Sequence, residues 1–292
     1  MNMTKIVIVI VLYNCQIRKS KTVNSLINSY KKFLLKNTKN PNNKIDLIIY
    51  DNGKKKSVYQ GLKKLINTIY LHNPRNPGLA KAYNYALKYC ENNGSEWLIL
   101  FDQDSTLPLN YFDQLDCEIS KSSNSCVAIV PKVLSNKLII SPCKVYFGGT
   151  LRPLSKNYYG KNKEEVFAIG SGAIISVTYL IGINGFNELF WMDSLDRWLF
   201  HTIRKDKYNI WISNITLKHE LSITNYDKYI SPDRYLNIMK YEAIFIRNYR
   251  NKFELYFYKI RLLKRIFFLL FTVKNKSFAY MTFNHLIGRS EF

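Results

Sequence analysis

The feature that most restricts the fold is a set of three short apolar runs that are separated by segments with helical spacing. The runs lie at Ile6–Leu12, 45–50 and 97–101, and the first is strongly β-branched. The segments at 22–35 and 78–90 between them place apolar residues three and four positions apart, as amphipathic helices do. This β-α-β-α-β order predicts an α/β fold with a mostly parallel sheet covered by helices on both faces.

Polar residues follow each of the three runs. They are Tyr13 and Asn14 after the first, Asp51, Asn52 and Gly53 after the second, and Asp102 to Ser105 after the third. Parallel sheets bind ligands beyond the carboxyl ends of their strands, so these clusters predict one shared crevice. The alternative is that these residues only form turns, which Asn, Asp and Gly favour.

The composition excludes some classes of protein, and the net charge limits the kinds of partner. With 292 residues, of which 47% are hydrophobic, the chain is neither a disordered tail nor a collagen-like repeat. Its net charge of +22 favours a polyanionic partner, which leaves nucleic acid, an anionic membrane surface or a phosphate-bearing substrate. Five cysteines without a C-x-x-C pair indicate neither a zinc knuckle nor a disulfide framework and fit a reducing cytoplasm. No apolar run reaches the roughly 18–20 residues of a membrane-spanning helix.

Two aspartates stand one residue apart directly after the third run. Residues i and i+2 of an extended chain project to the same side, so Asp102 and Asp104 would point together. Mg²⁺ and Mn²⁺ favour one or two carboxylates combined with substrate phosphate oxygens. The pair therefore predicts a site for a metal–diphosphate unit, with two solvated loop aspartates as the alternative.

Six segments together resemble a known enzyme family. They read Val-Leu-Tyr-Asn at 11–14, Tyr-Asp-Asn-Gly at 50–53, Asn-Pro-Gly-Leu-Ala-Lys-Ala-Tyr-Asn at 76–84, Phe-Asp-Gln-Asp at 101–104, Met-Asp-Ser-Leu-Asp at 192–196 and Lys-His-Glu-Leu-Ser at 218–222. In this order the chain resembles an inverting family 2 glycosyltransferase with the GT-A fold, in the branch of bacterial rhamnosyltransferases and other surface-polysaccharide enzymes. The resemblance covers about residues 6–222.

The resemblance implies a donor site. It assigns the pyrimidine and ribose of a UDP- or dTDP-sugar to Tyr13, Asn14 and Asp51. It assigns the rest of the donor pocket to Asn76, Gly78, Asn84, Asp102 and Gln103. Gly78 would let the backbone approach the nucleotide closely. The alternative for this segment is an ordinary turn into a helix, with Asn76 as the N-cap.

The resemblance also implies a metal site and a base. Asp104, Asp102 and His219 would hold Mn²⁺ or Mg²⁺, and Asp196 would accept the acceptor proton. Asp193 is the second candidate for the base, because the usual order of residues around this position is changed here. Gly170, Ser171, Gly172 and Trp191 would line the acceptor and sugar side, with core packing or a plain turn as the alternative.

A change of character divides the chain near residue 226. Residues 1–226 are predicted to form the catalytic domain, with a nucleotide-binding half at 1–105 and an acceptor half at 106–226. Residues 227–292 are helical in pattern and carry thirteen Lys or Arg but only five Asp or Glu. Within them, the basic and aromatic stretch 261–271 predicts either contact with an anionic membrane surface or packing on the catalytic domain or a second subunit in a homodimer.

The predicted function is transfer of a hexose or deoxyhexose, such as galactose or rhamnose, to a lipid-linked oligosaccharide in bacterial capsule or O-antigen synthesis. The enzyme would be cytoplasmic, at the inner face of the plasma membrane, with no nucleic acid as a partner. One rival is a sugar-nucleotide nucleotidyltransferase, which is disfavoured because residues 14–19 contain no glycine for a phosphate loop. The other is a nucleic-acid-binding protein, for which the chain has charge and aromatic residues but no binding signature.

Overall fold

Thirteen strands and eight helices lie in the part of the chain that the structure, a computed structural model, describes: residues 4–36, 45–57, 62, 65–122, 126–219 and 230–289. The strands are β1 Ile6–Leu12, β2 Ile45–Asp51, β3 Asn67–His72, β4 Trp97–Asp102, β5 Ser105–Thr106, β6 Cys126–Ser135, β7 Leu138–Ser141, β8 Cys143–Tyr146, β9 Thr150–Pro153, β10 Gly160–Asn162, β11 Val166–Phe167, β12 Ile174–Ser176 and β13 Asn209–His219. The helices are α1 Lys21–Lys36, α2 Leu79–Asn93, α3 Tyr111–Lys121, α4 Val177–Gly182, α5 Leu195–Lys205, α6 Pro232–Tyr249, α7 Lys252–Thr272 and α8 Ser277–Leu286.

Ten strands form the main sheet, in the order β10-β13-β6-β12-β4-β1-β2-β3, with β5 on β13 and β7 on β6. The four strands β4-β1-β2-β3 are parallel, while β12 runs antiparallel to both of its neighbours. All seven residues of β1 are buried, as a central strand requires. The predicted α/β architecture with a mostly parallel sheet is confirmed.

Helices cover the sheet because β1 is apolar on both faces. Ile6, Ile8, Ile10 and Leu12 pack in one core cluster with residues of α1 and α3. The alternate positions Val7, Val9 and Val11 point to the opposite face, and α2 packs on β1 and β4. α2 ends at Asn93 and is followed by Gly94, which has the left-handed conformation (φ 63°) common after a helix.

The predicted convergence of the polar clusters follows from the strand register. Leu12 of β1 stands opposite Asp51 of β2, and Val11 stands opposite Asp102 of β4. The chain segments that follow these strands therefore leave the sheet at the same edge. The site described below is built there.

The chain separates into two compact units: Met1–Lys144 with Pro153–Glu220, and Val145–Arg152 with Leu221–Phe292. The second unit contains α6, α7 and α8, whose apolar cluster includes Tyr235, Met239 and Phe278. Glu242 and Arg265 form an ion pair of 2.9 Å between α6 and α7. Residues 145–152, which fall inside the predicted acceptor half, belong to this helical unit.

The length and apolar character of the helices determine whether they could span a bilayer. None of those in the described ranges is both long and apolar enough to cross a membrane.

Candidate active site

The turn after β4 is held in place by the start of α1. The Thr22 hydroxyl donates to the backbone carbonyl of Asp102 and accepts the backbone N–H of Ser105 at 2.9 Å. The Ser20 hydroxyl donates to the Gln103 carbonyl at 2.8 Å. These hydrogen bonds from Ser20 and Thr22 hold the backbone of residues 102–105 in place. The carboxylates of the turn are left to face the crevice.

Asp102, Asp104 and His219 come together at this turn. Each offers one ligand atom, and these atoms lie within 4.8 Å of one another. His219 is the last residue of β13 and pairs in register with Ser105 of β5, so that its Nδ1 lies 3.4 Å from the Asp104 Oδ1. Two carboxylates and one imidazole are a donor set that fits a divalent cation such as Mn²⁺ or Mg²⁺.

Two buried serines lie behind the site and contact His219 and the backbone of Asp102. Ser105 Oγ lies 2.9 Å from His219 Nδ1 and 2.8 Å from Ser171 Oγ. Ser171 Oγ in turn accepts the backbone N–H of Asp102 at 3.1 Å. Ser171, which was predicted to line the acceptor side, is only 1% exposed and lies behind the carboxylates. Sequence reasoning missed Ser105, which has no feature that distinguishes it from other turn serines.

A cavity of about 70 Å³ lies beside the carboxylates. Its wall is mostly apolar and comes from α2, β4, α5 and the loops around them, and Gly170 adds backbone. Asp102 and Asp196 are the two charged residues in the described lining. Since ligand pockets usually measure about 300 Å³ or more, this cavity can enclose a reacting group, whereas a whole nucleotide sugar requires the open crevice as well.

Asp196 is the second residue of α5 and carries a perturbed carboxyl group. Burial among the apolar side chains of the cavity raises the pKa of Asp196 to about 6. The Arg197 backbone N–H, 2.8 Å from Oδ1, and the Arg197 charge lower this pKa, whereas the charges of Asp102 and Asp193 raise it. A carboxylate with such a pKa is mostly ionised at neutral pH and is suited to accept a proton. Asp193 does not belong to the described cavity lining.

Comparison with known proteins identifies the family of this chain. The family model described as glycosyl transferase family 2 matches residues 7–181, from β1 into α4. The chain belongs to glycosyl transferase family 2. No curated protein matches it in sequence.

Solved structures of S. aureus TarS share the fold of this family 2 glycosyltransferase. TarS 1–349 in complex with UDP-GlcNAc is 14% identical over 98% of this chain and 81% of that chain, with a TM-score of 0.52. The corresponding complex with UDP is 14% identical over 93% of this chain and 74% of that chain, with a TM-score of 0.51. A longer TarS structure, of which 45% is covered, gives 15% identity over 93% of this chain and a TM-score of 0.52. The predicted GT-A fold is confirmed.

Tyr13 and Asn14 lie at the crevice, at the end of β1. The Tyr13 side chain is half exposed, and its backbone N–H donates to Gln103 Oε1 at 2.8 Å. Asn14 has a φ of 49° and accepts the Lys54 N–H at 3.3 Å. Gln103 thus fixes the backbone of this loop with its side chain, and the Tyr13 ring stays open to the crevice.

Asp51 is buried and engaged by its own loop. Its Oδ1 accepts the Gly53 N–H at 2.8 Å, and its Oδ2 accepts the Tyr70 hydroxyl at 2.6 Å. Asn52 beside it donates to the Gly78 carbonyl at 3.3 Å, but its buried Oδ1 has no hydrogen-bond partner among the described residues. A buried acceptor without a donor costs about 1–3 kcal/mol. Asn52 is therefore a candidate ligand-binding residue that sequence reasoning did not single out.

Gly78 makes room for Trp191. A Cβ at Gly78 would lie 2.2 Å from the Trp191 carbonyl oxygen, and φ there is +93°. The Leu79 N–H donates to that carbonyl at 2.7 Å, and the Trp191 indole N–H donates to the Asn76 carbonyl at 3.1 Å. The close approach at Gly78 is thus made by Trp191, and a role of Gly78 in nucleotide binding stays a prediction. The N-cap of α2 is Gly78, so the alternative with Asn76 as N-cap is wrong.

Asn84 connects α2 to the loop before α5. Its Oδ1 accepts the Phe186 N–H at 2.7 Å, and its Nδ2 donates to the Phe186 carbonyl at 2.9 Å. Both polar atoms of the Asn84 amide therefore hold the loop at Phe186. Asn84, predicted to bind the nucleotide sugar, is not part of the described cavity lining.

Gly172 is a packing position below the site. It has a φ of +87°, and a Cβ there would lie 2.3 Å from Leu217 Cδ1 and 2.9 Å from Pro131 Cγ. We expect Gly172→Ala to lower the free energy of unfolding by about 2–4 kcal/mol, because Leu217 is buried and cannot move aside freely. Urea denaturation measures the change.

The matched control for that substitution is Gly94→Ala. Gly94 also has a positive φ, of +63°, but nothing lies within 4 Å of an added Cβ. Only the conformational strain remains there, so the expected loss is about 1 kcal/mol. Equal losses at the two positions would show that Gly172 is not needed for close packing.

Proposed function

We propose that this family 2 glycosyltransferase is a metal-dependent, inverting enzyme that transfers a sugar from a UDP- or dTDP-sugar to a lipid-linked glycan. The observation that carries the proposal is the meeting of Asp102, Asp104 and His219 at one edge of the sheet, beside a cavity that Asp196 lines. A cation-binding group next to a carboxyl with raised pKa is the arrangement that sugar transfer from a diphosphate requires.

The fold likeness to TarS supports a nucleotide-sugar donor, because those structures hold UDP and UDP-GlcNAc. Two features of this chain support the same class of ligand. The Tyr13 ring is exposed at the crevice, where a base could stack, and the buried Asn52 Oδ1 needs a hydrogen-bond donor. A pyrimidine N–H or a ribose hydroxyl supplies such a donor.

Asp104, Asp102 and His219 would hold the Mn²⁺ or Mg²⁺ ion. A divalent cation at this position supplies positive charge for the departing diphosphate. Ser105 contacts the His219 imidazole, and Ser171 holds the Asp102 backbone N–H, through the hydrogen bonds described above. Thr22 does the same for the backbone of the turn.

Asp196 is the proposed base, and Asp193 stays the second candidate. The acceptor oxygen forms a bond to the anomeric carbon while the bond from that carbon to the diphosphate oxygen breaks. The hydroxyl proton of the acceptor passes to the Asp196 carboxylate. A single displacement of this kind inverts the anomeric configuration and needs no carboxylate nucleophile, in contrast to a retaining double displacement.

The sugar, the acceptor and the setting are proposed on the resemblance stated above. They are rhamnose, galactose or a related hexose, transferred to a lipid-linked oligosaccharide of capsule or O-antigen synthesis at the cytoplasmic face of the plasma membrane. The nucleotidyltransferase alternative lacks support, because the segment after β1 leads through Cys15 and Gln16 into a short 3-10 helix, Ile17–Lys19, without a glycine.

A thermal-shift panel tests the proposed donor. UDP-sugars and dTDP-sugars are compared with GDP-mannose, each with and without Mn²⁺. At a concentration of about 100 Kd the correct donor should raise the midpoint of unfolding by roughly 5 °C, and only when Mn²⁺ is present. GDP-mannose serves as the control for a purine base. A shift of the same size with every nucleotide, or with none, would contradict the proposed donor class.

A further inference from the structure

Helix α7 carries apolar side chains on the side that faces solvent. Tyr258, Leu262 and Leu269 are buried inside the helical unit. The opposite side presents a stripe at alternating spacings of three and four, which we call the outer stripe: Phe253, Tyr256, Ile260, Leu263, Phe267 and Leu270. Phe253 is 71% exposed, Phe267 is 61% exposed, and Phe271 beside the stripe is 83% exposed. Five of the six stripe residues are exposed and Ile260 is partly buried, and such a row of exposed large apolar residues marks an interaction surface.

The neighbouring helix has the same character. α8 packs on α7 and exposes Tyr280 and Phe283, and Ile287 directly after α8 is exposed too, again with spacings of three and four. Two adjacent helices of one unit therefore leave aromatic residues in water. Neither row is needed for the core of the unit, which the buried sides of these helices supply.

The borders of the outer stripe are basic. Lys252 and Lys259 come one position before stripe residues, and Lys264 comes one position after Leu263. All three are exposed. The acidic residue of α7, Glu254, is paired with Arg250 at 3.6 Å and its side chain is only 14% exposed. The surface around the stripe therefore combines apolar contact area with positive charge and offers no exposed carboxylate of its own helix.

A second copy of the chain is the first occupant to consider, because spacings of three and four also form the seam of a coiled coil. In such a pair the positions that border the seam face each other. Here three of those positions carry Lys252, Lys259 and Lys264 and the other three carry Phe257, Ile266 and Phe271, so that the lysines find no acidic partner. Like charges at these positions disfavour self-pairing.

We propose that the outer stripe of α7 docks in the interfacial region of an anionic lipid bilayer. Its aromatic and aliphatic side chains enter the boundary between headgroups and acyl chains, and the bordering lysines lie at the lipid phosphates. The inference deepens the proposed function and rests on it in one respect, since a transferase whose acceptor is carried by a lipid has to work at a membrane.

Co-sedimentation of the full chain with vesicles tests the docking. One vesicle contains phosphatidylcholine and phosphatidylglycerol, the other phosphatidylcholine alone. The wild type should bind the anionic vesicles and bind the neutral ones far more weakly. Phe267→Ser with Phe271→Ser should weaken binding to anionic vesicles by about tenfold or more, because two large apolar side chains no longer leave water. Leu35→Ser on α1, at a side chain that is 80% exposed, is the matched control and should bind like the wild type.

Each other outcome overturns the docking. Absence of binding overturns it outright, and equal binding of the double variant reduces it to unspecific charge attraction. A dimer in sedimentation velocity that the double variant dissociates would assign the stripe to a second copy instead. Circular dichroism confirms folding of the variants, whose replaced side chains are exposed. The vesicle assay needs neither donor nor transfer, so a protein that binds vesicles but no donor would overturn the proposed function alone.

Discussion

Asp196→Asn should lower kcat for sugar transfer by about 10³-fold while the dissociation constant of the donor stays nearly unchanged. The amide keeps the shape of the side chain in the cavity but cannot take up the acceptor proton. Release of the nucleoside diphosphate measures kcat, and titration calorimetry measures donor binding in the presence of Mn²⁺. Loss of donor binding along with activity would contradict the role of a base and indicate a structural one.

Asp193→Asn is the matched control, since it removes a second carboxylate three residues earlier and outside the described cavity lining. It should retain most of the activity. The wild type should also show a pH profile of kcat/KM that follows the raised pKa of Asp196 in the free enzyme, about 6. A base must be ionised, so kcat/KM should be constant above this pKa and fall about tenfold per pH unit below it. An unchanged rate at pH 5 would contradict the assignment.

Asp104→Ala should abolish metal-dependent transfer and weaken binding of Mn²⁺ by at least about 10²-fold. It removes one carboxylate of the three-residue group and the contact of 3.4 Å to His219. Electron paramagnetic resonance of free Mn²⁺ measures the binding without any need for turnover. The loss should appear both in that titration and in the rate.

Ser171→Ala is the companion variant for the metal site. It leaves all three ligand side chains in place and removes only the hydroxyl that contacts Ser105 and the Asp102 N–H. A change to a residue that orients a ligand typically costs 10–100-fold in metal affinity. Asp113→Ala, at a partly buried carboxylate on α3 that pairs with Lys36 at 3.1 Å, should leave binding of Mn²⁺ unchanged. If Asp104→Ala behaves like Asp113→Ala, the acidic pair is not a metal site.

The strands that the sequence predicts best are those buried on both faces. β1 lies at the predicted residues because a central parallel strand is a continuous apolar run. β3 was not predicted, because the polar residues Asn67, Thr68 and His72 interrupt its apolar pattern. An edge strand such as β3 tolerates polar residues. β6 contains Pro131 and Lys132, which a central strand rarely includes. The structure accommodates Lys132 through a hydrogen bond of 3.0 Å to Asn214 on the neighbouring strand β13.

The sequence predicts those residues of the candidate site that directly follow a buried strand. Asp102 and Asp104 follow a run whose position the apolar pattern fixes, and the resemblance adds His219. The contacts that orient them could not be predicted, because Ser105 and Ser171 are 66 residues apart in sequence and meet only through the antiparallel β12. The same holds for Trp191 and Gly78, whose contact depends on how the loop before α5 packs on α2.

The serine pair behind the carboxylates has a consequence for the energetics of cation capture. Its hydrogen bonds hold the Asp102 backbone and the His219 imidazole when the chain folds, so part of the conformational freedom of the site is already lost before any ion arrives. A preorganised site pays less conformational entropy at the moment of binding. Binding of Mn²⁺ should accordingly cost less conformational entropy of the ligand residues than binding to a flexible acidic loop would.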